Sequence, residues 1–407
     1  MEIRFYFDIV CPYAFLASLR IDALAARSNA SVTWVPTLLG GLFKELNAPQ
    51  VPAAVMGAAK ARHSLQDIFR QGRQAGVTLT MPHDHPRRTV AALRLILAAP
   101  PAAQKAVAQD LYAAYWLRGE DIRDLGVLAT IGARHGVDAA RIEAPEVKAA
   151  LHATTAEASA RGVFGVPTMV VSGEGQPERL FWGQDRLHFV EAALGGPQGP
   201  APAKKAPKSD ATIRFFHDFS SPFSYLASTQ LERLAAESGA EVVPTPILLG
   251  ALFREVGMVD VPLFQLSAPK RAWVGRDTAD WARWWGAPYR FPHHFPLRSV
   301  LPLRVALVEP AAVPALYRAY WAENTAIEDP EGCAAVLTAA GFDGPALVAR
   351  TADPAIKEAL KANTAAARDA GAFGVPTFVV ERPGHAPVLI WGQDRLDLVV
   401  AACRGDI

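Results

Sequence analysis

Residues 3–18, IRFYFDIVCPYAFLAS, return at 213–228 as IRFFHDFSSPFSYLAS, 210 positions further on. In each copy a cluster of aromatic and β-branched residues gives way to Asp, then Cys or Ser, then Pro. The cluster reads as a β-strand (2–8; 212–218). Pro12 or Pro222, just inside a first turn, opens a helix over about 12–28 or 222–238. Working outward, VPTLLGGLF (35–43) aligns with TPILLGALF (245–253), and Pro82-His83 with Pro292-His293. Pro86, Arg88 and Arg94 match Pro296, Arg298 and Arg304, and Trp116 matches Trp321 after a short deletion. FGVPT (164–168) recurs at 373–377 and WGQDRL (182–187) at 391–396, both 209 positions later. An identical hexapeptide in register with the rest marks a duplication.

Between the copies lies GGPQGPAPAKKAPKSD, rich in Gly, Pro, Ala and Lys and without aliphatic periodicity. That composition predicts an exposed, semi-extended linker. The expected boundaries are therefore a domain at 1–194, a linker at 195–210 and a domain at 211–407, each of single-core size. Each copy continues with a second strand (31–36; 241–245) and a long stretch of helical composition to about 160 or 370. Two short strands follow (167–172 and 178–182; 376–381 and 387–391), and a final helix closes the copy. The fold class expected is α/β, two tandem thioredoxin-like domains, each with an all-helical subdomain inserted in its middle.

The 407 residues are 51% hydrophobic and 20% charged, enough to build real cores. Basic and acidic residues, 41 and 40, nearly cancel, so no charge excess argues for a nucleic-acid partner. Three cysteines are too few for a disulfide framework. The opening MEIRFYFDIV has no basic stretch followed by an apolar one and reads as no signal peptide. No charge-free run reaches the roughly 18 apolar residues of a membrane helix. The expectation is a cytoplasmic protein in a reducing compartment.

Three constellations carry chemistry. Cys11 and Ser221 stand just before the first helical residue, among free N–H groups at the positive end of a helix. A thiol there is expected to ionise easily. A serine there is either an N-cap or an O–H donor to an anionic sulfur, and no adjacent base makes it a nucleophile. Val166-Pro167-Thr168 and Val375-Pro376-Thr377 follow Gly-rich approaches. Their prolines either protect a sheet edge or hold a tight cis turn. In the WGQDRL junctions, Gln184-Asp185 and Gln393-Asp394 either cap a helix or grip the charged amino-acid end of a ligand.

Of the basic residues in the inserts, Lys60, Arg62 and Arg88, or Lys270 and Arg298, are candidates for a substrate carboxylate, with solvated helix faces as the default. His83, His85, His293 and His294 have no supporting Cys or carboxylate pattern, and no metal is expected. Trp281, Trp284 and Trp285, at helical spacing, read as packing first and as lining for an aromatic substrate second.

The DxxSPxSYLAS turn (218–228), LLGALFRE (248–255), FGVPTFVV (373–380) and WGQDRLD (391–397) resemble 2-hydroxychromene-2-carboxylate isomerase and the kappa-class glutathione transferase, in the DsbA-like branch of the thioredoxin superfamily. The resemblance covers essentially the whole chain twice. It implies a glutathione-dependent isomerase that converts the chromene acid to trans-o-hydroxybenzylidenepyruvate. It also implies that Ser221 donates to the glutathione thiolate, that Val375 before Pro376 pairs with the cysteinyl part, and that Gln393 and Asp394 hold the γ-glutamyl end. Arg254 stands where the family commonly has Lys, which Lys44 retains in the first half. The matching positions there are Val166, Pro167, Gln184 and Asp185. A kappa-type transferase and a thiol–disulfide enzyme acting through Cys11 are the alternatives. Cys11-Pro12-Tyr13-Ala14 keeps an attacking cysteine without a resolving one, so a dithiol cycle cannot close within it. The expected substrate is a small aromatic or conjugated carboxylic acid, and the two halves are expected to pack as an intramolecular pseudo-dimer.

Overall fold

The computed structural model describes residues 1–259 and 261–407. By contact the chain divides into two units. Met1–Met56, Gln66–Gln198 and Ser267–Trp273 make the first; Gly57–Leu65, Gly199–Leu266 and Val274–Ile407 make the second.

In the first unit, β1 (Glu2–Phe7) runs parallel to β2 (Ser31–Pro36) and antiparallel to β3 (Thr168–Gly173), and β3 pairs antiparallel with β4 (Gln176–Trp182). The sheet order is β2-β1-β3-β4, with Ile3 opposite Val32 on one side and Val171 on the other. Ile3, Phe5, Tyr6 and Phe7 are all buried. A central strand covered on both faces has no solvent side to alternate toward, which is why this stretch reads as a continuous aromatic run. Arg4, the polar exception, pairs with Glu157 at 2.7 Å, and the Tyr6 hydroxyl donates to the same carboxylate at 2.7 Å.

The second unit repeats the plan with β5 (Thr212–His217), β6 (Glu241–Pro246), β7 (Thr377–Glu381) and β8 (Val388–Trp391) in the order β6-β5-β7-β8. One apolar cluster joins Ile213, Phe215, Leu234, Phe378, Ile390 and Leu398; another joins Phe216, Ile247, Leu252, Val375 and Val379. Both sheets therefore carry the βαβ–helices–ββα order read from the sequence.

The helix expected over 12–28 is two helices, Pro12–Ser18 and Ile21–Arg27, and its counterpart is Pro222–Ser228 and Leu231–Ser238. Ser18 Oγ donates to the Phe15 carbonyl at 2.6 Å. Ser228 Oγ and Thr229 Oγ1 donate to Tyr225 and Leu226 carbonyls, each at 2.7 Å. These hydroxyls compete with the backbone for acceptors in the last turn, and both copies break there. Residues 201–209 have no regular secondary structure and are mostly exposed. Two backbone bonds hold part of that stretch, Ala206 N to Ala236 O and Ser209 N to Gly239 O, both 2.8 Å.

The inserted helices reach back to the strand–helix turns. Trp116 closes helix Pro101–Trp116, and its Nε1 donates to Ile9 O at 2.8 Å. Trp321 closes helix Val313–Trp321 and donates likewise to Phe219 O at 2.8 Å. Both indoles are fully buried. Among the described residues no helix is long and apolar enough to cross a membrane.

Candidate functional site

Each site starts with a buried aspartate at the end of the central strand. Asp8 Oδ1 accepts from Val10 N at 3.2 Å and Oδ2 from Leu39 N at 2.9 Å. Asp218 takes Ser220 N and Leu249 N in the same way, both at 2.8 Å. One carboxylate thus ties the turn to the helix that carries Lys44 or Arg254. Burial raises Asp8 to about 6 against the pull of its N–H donors, and raises Asp218 for the same reason.

Cys11 and Ser221 follow, both buried and both aimed at the same kind of carbonyl. Val166–Pro167 and Val375–Pro376 are cis. Cys11 Sγ lies 3.2 Å from Val166 O, and Ser221 Oγ donates to Val375 O at 3.3 Å. Ser221 also caps its helix, accepting from Ser224 N at 3.2 Å, whereas Cys11 makes no side-chain cap. The expectation of an easily ionised Cys11 is corrected. Burial pushes the thiol up to about 12, outweighing the N–H groups of Ala14 and Tyr13, with Asp8 adding to the rise. A helix of seven residues does not offset that desolvation.

The WGQDRL junction is joined to the cis-proline loop. Gly183 N donates to Pro167 O at 2.9 Å and Gly392 N to Pro376 O at 3.1 Å. Gly183 and Gly392 sit at φ 109° and 113°, where a side chain is strained, and a Cβ would collide with Asp185 or Asp394. The Trp of each hexapeptide packs on the Gly of each FGVPT. A Cβ on Gly165 would lie 2.9 Å from Trp182 Nε1, and one on Gly374 3.0 Å from Trp391 Nε1. Asp185 pairs with Arg186 at 2.8 Å and Asp394 with Arg395 at 3.3 Å.

Gln184 and Gln393 are both buried but differently held. Gln184 Nε2 donates to Gln71 Oε1 at 2.7 Å, and Arg20 donates to both the side-chain and backbone oxygens of Gln184. Gln393 Oε1 instead accepts from Trp285 Nε1 at 2.8 Å. Trp285 stacks on Trp281 at 5.5 Å, so this part of the tryptophan cluster both packs and holds the Gln393 side chain. Sequence reading missed Trp285, Gln71 and Arg20 as partners of these glutamines.

Lys44 and Arg254 end their helices exposed, and Arg254 Nε donates to Gly250 O of its own helix. Arg62, Arg88 and Arg298 are exposed. In the second unit Lys60 lies over the Trp391 ring at 5.8 Å, lowered by burial, and His63 Nε2 accepts the Trp391 N–H at 3.1 Å. In the first, Lys270 lies over Trp182 at 5.0 Å and Trp273 meets the same ring edge-on at 5.1 Å. His85 Nδ1 is 2.9 Å from the Tyr115 hydroxyl, while His83, His293 and His294 are exposed.

A β2-β1-β3-β4 sheet with a cis-proline loop against a helix-starting Cys or Ser defines a thioredoxin-like protein. The chain belongs to the DSBA-like thioredoxin domain family, which matches at residues 2–195 and again at 212–404. Rat glutathione S-transferase kappa 1 is 28% identical over 216 residues, spanning 49% of this chain and 94% of that protein. The 2-hydroxychromene-2-carboxylate isomerase of Sphingobium xenophagum is 27% identical over 202 residues, spanning 47% of this chain and 97% of that protein. A solved structure of a 2-hydroxychromene-2-carboxylate isomerase aligns at 22% identity and a TM-score of 0.41, over 48% of this chain and 95% of its own.

Proposed function

We propose that the chain is a glutathione-dependent enzyme working at the Ser221 site, and that it isomerises 2-hydroxychromene-2-carboxylate or a closely related conjugated acid. The observation that carries this reading is the Ser221 hydroxyl, buried at a helix start and resting on the carbonyl before cis Pro376. The one carboxylate in its turn, Asp218, is spent on Ser220 N and Leu249 N rather than on the Ser221 hydroxyl, so the serine is poorly suited to attack. Its rotatable O–H is well suited to leave a carbonyl for an anionic sulfur.

The residues fit glutathione. Gln393 spends its oxygen on Trp285 and leaves its amide N–H groups for the γ-glutamyl end, beside the Asp394 carboxylate. The Val375 backbone meets the cysteinyl part, and Arg254 supplies a cation at the rim. Glutathione bound there would supply a thiolate nucleophile toward the conjugated acid and be regenerated unchanged. Ser221 would donate its O–H to that sulfur, and the Val375 carbonyl that now accepts it marks the direction it faces. In the first half, Val166, Pro167, Gln184, Asp185 and Lys44 form the matching cradle. Cys11, pushed up to about 12, is a poor attacking thiol, which weighs against the thiol–disulfide alternative. The substrate class is a small aromatic or conjugated carboxylic acid, and the reading places the work in the cytoplasm, where thiols stay reduced.

The test is turnover of the chromene acid with catalytic glutathione. Turnover at constant total thiol, lost in Ser221→Ala and kept in Cys11→Ala, is expected. Stoichiometric glutathione consumption would assign a transferase instead, and the reverse mutant pattern would move the chemistry to Cys11.

A further inference from the structure

Between the two repeats, Phe7 becomes His217, Ala14 becomes Ser224 and Cys11 becomes Ser221, while Tyr112 is matched by Tyr317. The new polar groups meet behind the Ser221 turn. His217 ends β5 fully buried, stacked on Phe215 at 5.1 Å and edge-on to Phe219 at 5.7 Å. Its Nδ1 lies 3.0 Å from the Tyr317 hydroxyl, and its Nε2 has no hydrogen-bond partner among the described residues. Burial lowers the imidazole to about 3 and raises the Tyr317 phenol, so both groups are neutral. Asp218, next on the strand, and Tyr225, whose ring packs 5.9 Å from that of Tyr317, are the titratable neighbours on β5 and on helix Pro222–Ser228.

A buried N–H without an acceptor is rarer than a buried acceptor left unused. The ring proton therefore belongs on Nδ1, with the lone pair on the unpartnered Nε2. Nδ1–H then donates to the Tyr317 oxygen, and the Tyr317 O–H must donate onward. Ser224 adjoins it: the Ser224 hydroxyl is buried, neighbours Tyr317 and meets hydrogen-bond geometry with no group in this arrangement. The Ser224 backbone N–H in turn donates to Ser221 Oγ. The first repeat has no such chain. Phe7 and Ala14 offer no polar atom, and the Tyr112 hydroxyl turns to the Asp8 carbonyl at 3.4 Å.

We propose that His217 is a positioning residue of the Ser221 site: as the Nδ1–H tautomer it sets the Tyr317 and Ser224 hydroxyls in one donor direction, toward the turn that receives an anion. No proton is transferred; the groups act through their dipoles, and the Tyr317 O–H turned to Ser224 Oγ is the link the proposal adds to those present. That the anion is a glutathione thiolate rests on the function proposed above.

The first arm of the test needs no ligand. Nitrogen NMR of the histidine-labelled full chain, with His217 assigned from the signal lost in His217→Phe or shifted in Tyr317→Phe, reads which ring nitrogen is protonated. Nδ1–H is expected, and a proton on Nε2 overturns the proposal. The second arm follows the ultraviolet absorbance of the bound glutathione thiolate against pH. His217→Phe and Tyr317→Phe are each expected to raise its midpoint by about one unit, roughly a tenfold loss of thiolate at pH values below it. An unmoved midpoint with binding retained overturns the proposal. If the unsubstituted protein binds no glutathione, the functional reading falls and the tautomer alone decides. Tyr317→Phe removes a single oxygen and keeps the second arm open should His217→Phe fail to fold.

Discussion

The Cys11 and Ser221 sites share a scaffold and differ in what they leave available. In the first, the thiol faces Val166 O without capping its helix, and Gln184 is committed through both ends of its amide to Gln71 and Arg20. In the second, Ser221 caps and donates at once, and Gln393 commits its oxygen to Trp285. The lesson is that a duplicated site can keep its backbone geometry while its hydrogen-bonding capacity is closed in one copy and left open in the other.

The largest effect should come from what the copies share. Trp321→Ala and Trp116→Ala each remove a buried indole and its bond to the turn, and each should cost about 3–5 kcal/mol in denaturant unfolding. A loss confined to one copy would break the equivalence. Next is the Asp8 carboxyl, near 6 when folded against 3.8 for the unperturbed group. Between those values the folded chain holds more protons than the unfolded one. Asp8 should therefore add up to about 3 kcal/mol of stability as pH falls from 7 toward 4, and Asp8→Asn should remove that share while leaving the one from Asp218. Ser221→Ala should lower turnover about 100-fold, near 2.7 kcal/mol, while Cys11→Ala should leave it within about twofold. The smallest effect is Trp285→Phe. Freeing Gln393 Oε1 from its donor should raise the glutathione KM about fivefold with kcat little changed, as expected for one neutral hydrogen bond. An equal change from Gln71→Ala would remove the distinction drawn between the glutamines.

The repeat, the order of elements along each copy and the pairing of Trp116 with Trp321 were legible because each leaves a local mark: an aromatic run, a Pro at a helix start, a recurring motif. The raised Cys11 thiol was not, because the motif shows a helix start and hides the burial around it. The break at Ser18 and Arg20 was missed because side-chain hydroxyls compete for acceptors that periodicity alone does not reveal. Trp285 was read as packing because its partner lies 108 residues away in sequence. His217 went unread although the mismatch with Phe7 was visible, since a single polar exchange on a strand gains meaning only beside Tyr317.

The glycines of FGVPT and WGQDRL deny both copies the same freedom to drift. Gly165 and Gly374 lie against indoles, and Gly183 and Gly392 at angles closed to other residues. At these four places the genetic record of the duplication is preserved by lack of room, whatever chemistry either half performs. Between the same two copies the position that opens the first helix exchanges sulfur for oxygen, Cys11 for Ser221.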